Sequence, residues 1–497
     1  MKLLLVSTNQ FREPLGPVLP LALEFLAETA ARAGHQVKAI DLCFQKDSEL
    51  FELVGDFVPD VVGISMRNTY DGSTMSNFLP RVHDLITAMR ARGYRNIIMG
   101  GNGFSTMARQ CFEYFQPDFA VVGEGEFPLL DILNGLQSGA TSFDTPGLIY
   151  RRDGKVVENP LIELGPKRPY RDLSEIPPLS RTFVDSMAYQ RAGGMANIQT
   201  KRGCPMQCSY CVTPNTQGRK VRVFEPSRIA DEFEQLGRQG VKHLYITDAE
   251  FNLPPQAALE LCEELIRRKN TIGWSCDVRP VNNALPNELI EAMAKAGCLE
   301  VNMTVDTGND TVARLNHLSQ TRQGVIDATL SFKKFGIYIM HGYVVGLPGQ
   351  GPDELRETLE LVDACKPNFT FFYVDPWIYP RTPLEAMAIK EGKLKPDWNP
   401  LELTYYRSEH ADTLLKMLKR YALRHSPSEM SVLAPGNAPP FGAFLSQKVE
   451  ENGYFGPMNK LIHQVTTKHR LASYAMFTRF QLGRLKDAML GAPERKP

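Results

Sequence analysis

The sequence predicts an α/β protein: a doubly wound, Rossmann-like parallel sheet, then a partial (β/α)6 TIM-like barrel, then a helical C-terminal domain. Three observations predict it. Short apolar runs alternate with helical-period segments from residue 2 to residue 374, the pattern of parallel sheets with helices on both faces. Glycine and polar residues gather where those runs end, the place where ligands of such sheets bind. A proline-rich change of character at 141–181 separates the alternation into two blocks. The implied division is a Rossmann-like domain at 1–140, a linker at 141–190, a barrel core at 191–385 and a helical domain at 386–497.

Residues 2–8 form a dense apolar run, as a strand covered on both faces requires. Residues 19–33 place apolar side chains at helical spacing, and Gly34 stops them. Strands follow at 36–42 and 61–66, a helix at 75–92 closed by Gly93, strands at 96–99 and 119–122, and a helix from about Phe127. The loops after the strands are 65–71, the GGNG-containing loop 100–106, and Gly123-Glu124-Gly125-Glu126. Glycine there lets backbone approach a ligand closely. Within the linker, 152–155 reads as a hairpin turn between two short strands.

The second block opens with a strand at 198–199. It continues as helix 227–239, strand 243–247, helix 255–269, strand 273–278, helix 286–296, strand 299–305, helix 324–335 and strand 338–345. Helix 353–364 and strand 369–374 complete it, and helical signals recur at 411–423 and 474–489. Barrel active sites collect at strand carboxyl ends. There the chain places Asp248, Glu250 and Asn252, then Asp277-Val278-Arg279, then Asp306, then Gly346-Leu347-Pro348-Gly349. Each could singly be a helix cap.

Length and composition bound the rest. A chain of 497 residues exceeds one typical core. Its 56 basic and 56 acidic residues cancel, so no global field points to nucleic acid or an anionic membrane. Nine cysteines in so long a chain are no disulfide scaffold, and six of them are scattered as ordinary buried thiols would be. No apolar run is long enough for a signal core or a membrane span, so a cytoplasmic protein is expected.

The chemistry is concentrated in one loop. Cys204, Cys208 and Cys211 stand as C-x3-C-x2-C within KRGCPMQCSYC. Three thiolates so close can share one metal centre. Structural zinc prefers four N/S ligands, and an iron–sulfur cluster is usually held by four cysteines; a cubane on three keeps one iron open for a substrate. The bland alternative is a zinc-binding or unstructured cysteine loop.

This loop, with Tyr210 before its last cysteine and Pro205 after its first, resembles the signature of the radical S-adenosylmethionine (SAM) superfamily, in its cobalamin-associated branch. The resemblance implies a [4Fe-4S] cluster on Cys204, Cys208 and Cys211. It also implies SAM bound by Tyr210, Asp248, Glu250, Asn252, Arg279, Asp306, Gly346 and Pro348. The acidic motif would contact the methionyl amine, Asp306 the ribose, and the glycine–proline turn the adenine. Residues 1–140 are similar to the cobalamin-binding domain fused to many such enzymes, which implies a cobalamin site of Arg67, Asn68, Gly100, Gly101, Asn102, Gly123, Glu124, Gly125 and Glu126. The chain departs from many cobalamin domains in lacking D-x-H-x-x-G, so no histidine is expected beneath the cobalt, and Arg67 would lie there unless it is simply a surface arginine.

In such enzymes the reduced cluster splits SAM, and the resemblance implies functionalisation of a small molecule, methyl transfer being commonest. Radical cyclisation, rearrangement or transfer of the 3-amino-3-carboxypropyl group use the same scaffold. An electron donor such as flavodoxin or ferredoxin is an implied partner. A cobalamin-binding sensor would not need the cysteine loop. A tRNA-modifying enzyme would be expected to add a basic, aromatic RNA-binding domain, and none is legible.

Overall fold

The computed structural model describes residues 1–10, 17–71, 75–162, 170–192, 194–281, 284–426 and 429–435, and isolated residues between 447 and 468. The helix expected at 474–489 lies outside the described residues.

The N-terminal sheet comprises β1 (Lys2–Ser7), β2 (Gln36–Asp41), β3 (Val61–Ser65), β4 (Ile97–Gly100) and β5 (Phe119–Val121), all parallel, in the order β2-β1-β3-β4-β5. Alternation along β1 shows why its run is uniformly apolar. Leu3 and Leu5 enter one core with α1 (Leu21–Arg32), while Leu4 and Val6 enter another with α2 (Leu79–Ala91). A further helix, α3 (Glu126–Ser138), packs beside α1. Strand order reverses direction of growth between β1 and β3, and such a switch point opens a crevice at the strands' carboxyl ends.

Two differences from the sequence reading have local causes. The helix expected from Met75 starts only at Leu79: Ser76–Asn77 pairs as a short strand, and the Asn77 carboxamide accepts from the Leu79 N–H at 2.9 Å. That contact fixes the start by offering the first turn a side-chain acceptor. The expected linker hairpin forms as β6 (Leu148–Arg152) and β7 (Lys155–Glu158), but β6 pairs antiparallel with β5 and extends the N-terminal sheet.

The second sheet is β8 (Ala196–Ile198), β9 (His243–Ile246), β10 (Gly273–Val278), β11 (Cys298–Asp306), β12 (Tyr338–Val345), β13 (Phe369–Val374) and β14 (Met430–Leu433), in sequential order and parallel throughout. Helices α4 (Pro226–Arg238), α5 (Pro255–Arg267), α6 (Asn287–Lys295), α7 (Arg322–Lys334), α8 (Pro352–Cys365) and α9 (Ala411–Ala422) connect them. This is a partial barrel with one strand more than expected. The extra strand, MSVL, comes from the segment read as largely helical; four residues after a helix carry too little periodicity to be recognised.

The two blocks share one continuous core. Phe25 on α1 stacks at 6.0 Å on Phe224 of the barrel block, and the Arg202 guanidinium lies 4.7 Å from the Phe25 ring.

Candidate active site

The cysteine loop hangs at the carboxyl end of β8. Gly203, immediately before Cys204, has φ +92°, and a Cβ there would stand 2.2 Å from the Lys220 carbonyl, so only glycine allows this turn. Lys201–Arg202 pairs antiparallel with Arg222–Val223, and Cys204 N–H donates to the Gly218 carbonyl at 3.0 Å, which closes the loop's base. The Asp248 carboxylate, fully buried, accepts from the Thr200 N–H (2.8 Å), the Lys201 N–H (3.2 Å) and the Thr200 hydroxyl, with Lys201 Nζ at 3.9 Å. Asn252 is spent likewise: it donates to the Arg279 and Ala284 carbonyls and accepts from the Arg279 N–H. Both residues are occupied in pinning loops together, and neither has a buried side-chain polar atom without a partner.

The other expected SAM residues converge. Arg279 meets Asp306 at 2.6 Å and lies 4.0 Å from Glu250, while Thr304 donates to Glu250 at 3.0 Å. Tyr210 donates its hydroxyl to Asp306. Asp306 itself has φ +62°, a strained left-handed conformation for aspartate. Glu250 keeps one buried carboxylate oxygen without a partner. Burial pushes its pKa up to about 8, against the pull of Arg279. Gly346 donates to the Gln350 carboxamide at 2.7 Å, whose nitrogen has no partner, and a buried oxygen of Asp375 is also unpaired nearby. Asn316, which the sequence did not single out, brackets the site. Its amide donates to the Pro348 carbonyl, and its carbonyl groups accept from the Ser209 N–H and hydroxyl.

Cys204 and Cys208 are buried, Cys211 partly so, and all three are free thiols. Burial raises the pKa of Cys204 to about 11 and of Cys208 to about 12, and each also feels Cys211. The sulfurs are thus neighbours, although among the described residues no three candidate ligands are already closed into a metal site. The donor set fits a cluster: three thiols that a metal deprotonates, whose other contacts among the described residues are the Met206 backbone N–H at Cys204 and a weak Cys211–Thr213 contact of 3.4 Å.

On the N-terminal side, a slot of about 240 Å³ runs between the sheet and helices α1 and α3. Leu5, Ile98 and Val121 floor it, Leu23 and Leu129 wall it, and Gly100, Gly101, Asn102 and Gly123 to Glu126 form its mouth. Gly101 holds φ +103°, and a Cβ there would strike the Met66 carbonyl at 2.6 Å, so the GGNG loop crosses the Ser65–Arg67 loop backbone to backbone. A narrow apolar slot with a glycine mouth suits the flat heterocyclic appendage of cobalamin. Glu124 and Glu126 have another task. Arg202 meets Glu126 at 2.6 Å and Glu124 at 3.4 Å, and Arg222 meets Glu124 at 2.9 Å, all four nearly buried.

Arg67 keeps exposed surface, yet it lies deep between the blocks; burial lowers its pKa, offset in part by Tyr189 and Tyr245. Its exposure is therefore exposure to an internal cavity. A smaller cavity of about 80 Å³ joins Arg67, Asn68, Asn102 and Gly103 of the first block to Val212, Trp377 and Tyr379 of the second. The cobalamin-type loops and the residue after Cys211 thus line one space.

Comparison with known proteins agrees. A model of the B12 binding domain matches residues 12–133, and one of the radical SAM superfamily matches 198–362. An uncharacterized methyltransferase of Pyrococcus horikoshii is 26% identical over 421 residues, 80% of this chain and 86% of that protein. The tryptophan 2-C-methyltransferase of Streptomyces laurentii is 27% identical over 61% of this chain, which spans 59% of that relative. The fold matches the radical SAM methyltransferase TsrM of Kitasatospora setae. With cobalamin and a [4Fe-4S] cluster bound, its TM-score is 0.78 at 24% identity; with tryptophan and aza-SAM bound, 0.81 at 23%. Each covers 95% of this chain and 99% of that one. The chain belongs to the cobalamin-binding-domain radical SAM enzymes, with SAM, a [4Fe-4S] cluster and cobalamin as the cofactors of its family.

Proposed function

We propose that this enzyme methylates a small molecule, using cobalamin and SAM together. The observation that carries the reading is the shared space: Arg67, Asn68 and Asn102 line the same cavity as Val212 and Tyr379, so a cofactor on the first block and a cluster on Cys204, Cys208 and Cys211 would face one substrate. When bound, the cluster supplies an electron to SAM, and cobalamin supplies a carrier for its methyl group.

The chain's own residues do the positioning. Glu250, with its unpaired buried oxygen, is built to receive an ammonium, the group SAM presents at its amino acid end. Asp306, steadied by Arg279 and Tyr210, offers a carboxylate for a diol. The Arg202–Glu126 and Arg222–Glu124 pairs hold the slot mouth against the base of the cysteine loop. Arg67 places a cation, with no imidazole, in the cavity. Buried walls exclude water from reactive intermediates. The relatives named for methyl transfer, one of them to tryptophan, support the same reading. An electron donor of the flavodoxin or ferredoxin kind, a cytoplasmic setting and no nucleic acid partner belong to it. Among the described residues no helix is long and apolar enough to cross a membrane.

The test uses SAM with a deuterated methyl group, the reconstituted enzyme and metabolite extracts, with L-tryptophan as a first defined candidate. Methyl transfer gives S-adenosylhomocysteine and an intact labelled methyl in product. 5′-Deoxyadenosine without S-adenosylhomocysteine would indicate cyclisation or rearrangement, and 5′-methylthioadenosine would indicate aminocarboxypropyl transfer. Either would overturn the reading.

A further inference from the structure

The barrel lumen carries chemistry that SAM and the cluster leave unused. Along β10, Trp274, Cys276 and Val278 are wholly buried against the outer helices, whereas Asp277 between them keeps accessible surface. The same alternation leaves Tyr245 of β9 and Asn302 of β11 facing inward. Tyr373 of β13 is 49% exposed, although burial and Asp277 push its pKa to about 12. A side chain so accessible in so enclosed a place faces the lumen.

These groups form one wall. Asp277 and Asn302 are register partners in adjacent strands, and Asn302 Nδ2 donates to Asp277 Oδ1 at 2.7 Å. Tyr245 donates its hydroxyl to the same carboxylate. The carboxamide oxygen of Asn302 is buried and has no partner at all. Gly342 leaves the space beside it open: a Cβ there would still be 3.8 Å from that oxygen. Among the described residues Asp277 has no ion pair. The charges it feels most are Asp248 and Glu250, both acidic, while the Arg67 guanidinium reaches the neighbouring Tyr245 without pairing with Asp277. A buried carboxylate ordinarily has a cation, and a buried amide oxygen ordinarily has a donor. Here both acceptors stand side by side: the carboxylate has two neutral donors but no ion pair, and the amide oxygen has no donor.

An ammonium has three donors and no acceptor. We propose that the methyl-accepting substrate carries a primary amine, seated on Asp277 and Asn302 in the barrel lumen, with its carbon body against the half-exposed Tyr373 ring. The inference rests on the small-molecule methyltransferase reading and names the class of its substrate. Asp277 is then a specificity-determining residue that contacts substrate, distinct from Glu250 and Asp306 on the SAM side.

The test is capture by the full-length, cofactor-loaded enzyme from a metabolite extract of the source organism, used untreated and after acetylation of its amines. Compounds retained on ultrafiltration are identified by mass spectrometry. Wild-type protein is expected to enrich a primary amine from the untreated extract and to lose it after acetylation. Asp277→Asn keeps the shape and the Asn302 neighbour, and should retain the same compound roughly tenfold to a hundredfold less. Thermal unfolding no lower and SAM binding no weaker than in the wild type show that the loss is local, since removing the Asp277 charge relieves Glu250 rather than hindering it. Enrichment of compounds without an amine, equal retention by Asp277→Asn, or enrichment of nothing would overturn the proposal. Failure of the underlying reading looks different. A captured amine that never receives the labelled methyl would leave the anchor standing and sink methyl transfer. A labelled product without an amine would do the reverse.

Discussion

Arg202→Met tests how the two blocks are held together. In the wild type, Arg202 and Glu126 meet at 2.6 Å with each side chain only 6% exposed. Unit charges about 4 Å apart attract by about 4 kcal/mol at an effective dielectric of ~20. Removing one member of a buried pair costs about 3–5 kcal/mol, because the survivor is left charged and unsolvated. Methionine preserves most of the apolar contact with Phe25, and Arg222 still serves Glu124, so the loss should fall near ~3 kcal/mol. Urea unfolding of the full chain, followed by circular dichroism, measures it.

The pH dependence sharpens the test. Burial alone would raise the Glu126 pKa, but Arg202 outweighs it and the net direction is down. A depressed carboxylate contributes stability that is present above its unfolded pKa and lost as pH falls through the folded one. Without Arg202, burial raises the same pKa and the sign reverses. The gap between wild type and variant should therefore shrink as pH falls from 7.5 toward 4.5. Arg202→Met with Glu126→Gln, which removes both charges, should recover more than half of the loss. A cost under ~1 kcal/mol at pH 7.5, or one independent of pH, would refute the reasoning.

Two further predictions follow from the site. Replacing Cys204, Cys208 and Cys211 together by alanine should abolish iron and sulfide incorporation and SAM cleavage, whereas Cys43→Ala and Cys365→Ala, both outside the loop, should leave iron content unchanged; iron and sulfide assays decide it. Glu250→Gln should weaken SAM binding at least tenfold by calorimetry, yet raise the melting temperature of the ligand-free protein at pH 8.5 by about 2 °C or more. With a folded pKa of about 8 above its ordinary one, Glu250 gives stability at low pH that is lost as pH rises toward 8. The neutral amide removes that loss, and equal melting curves at pH 8.5 would count against it.

The alternation of strands and helices was legible because a parallel sheet buries both faces, so its strands are continuous apolar runs that local sequence shows directly. The cysteine triad was legible for a similar reason: ligand spacing within eight residues is a local property. The hairpin at 148–158 was equally visible, but which sheet it joins depends on pairing with Phe119–Val121, a contact no local pattern encodes. The same limit applies within the site. Asp248, Glu250 and Asn252 look alike in sequence, and only the fold gives every buried polar atom of Asp248 and Asn252 a partner while leaving a Glu250 oxygen bare. Glu124 and Glu126 read as cobalamin-site residues, and the fold couples them to Arg202 and Arg222, 76 and 98 positions away. Asp277 and Asn302 became a wall only when adjacent strands set them in register. Residue types and spacing along the chain determined the fold class and the candidate cluster ligands; which polar atoms remain unsatisfied, and so what the protein can bind, was decided by tertiary structure, because satisfaction is a property of neighbours brought together across the chain.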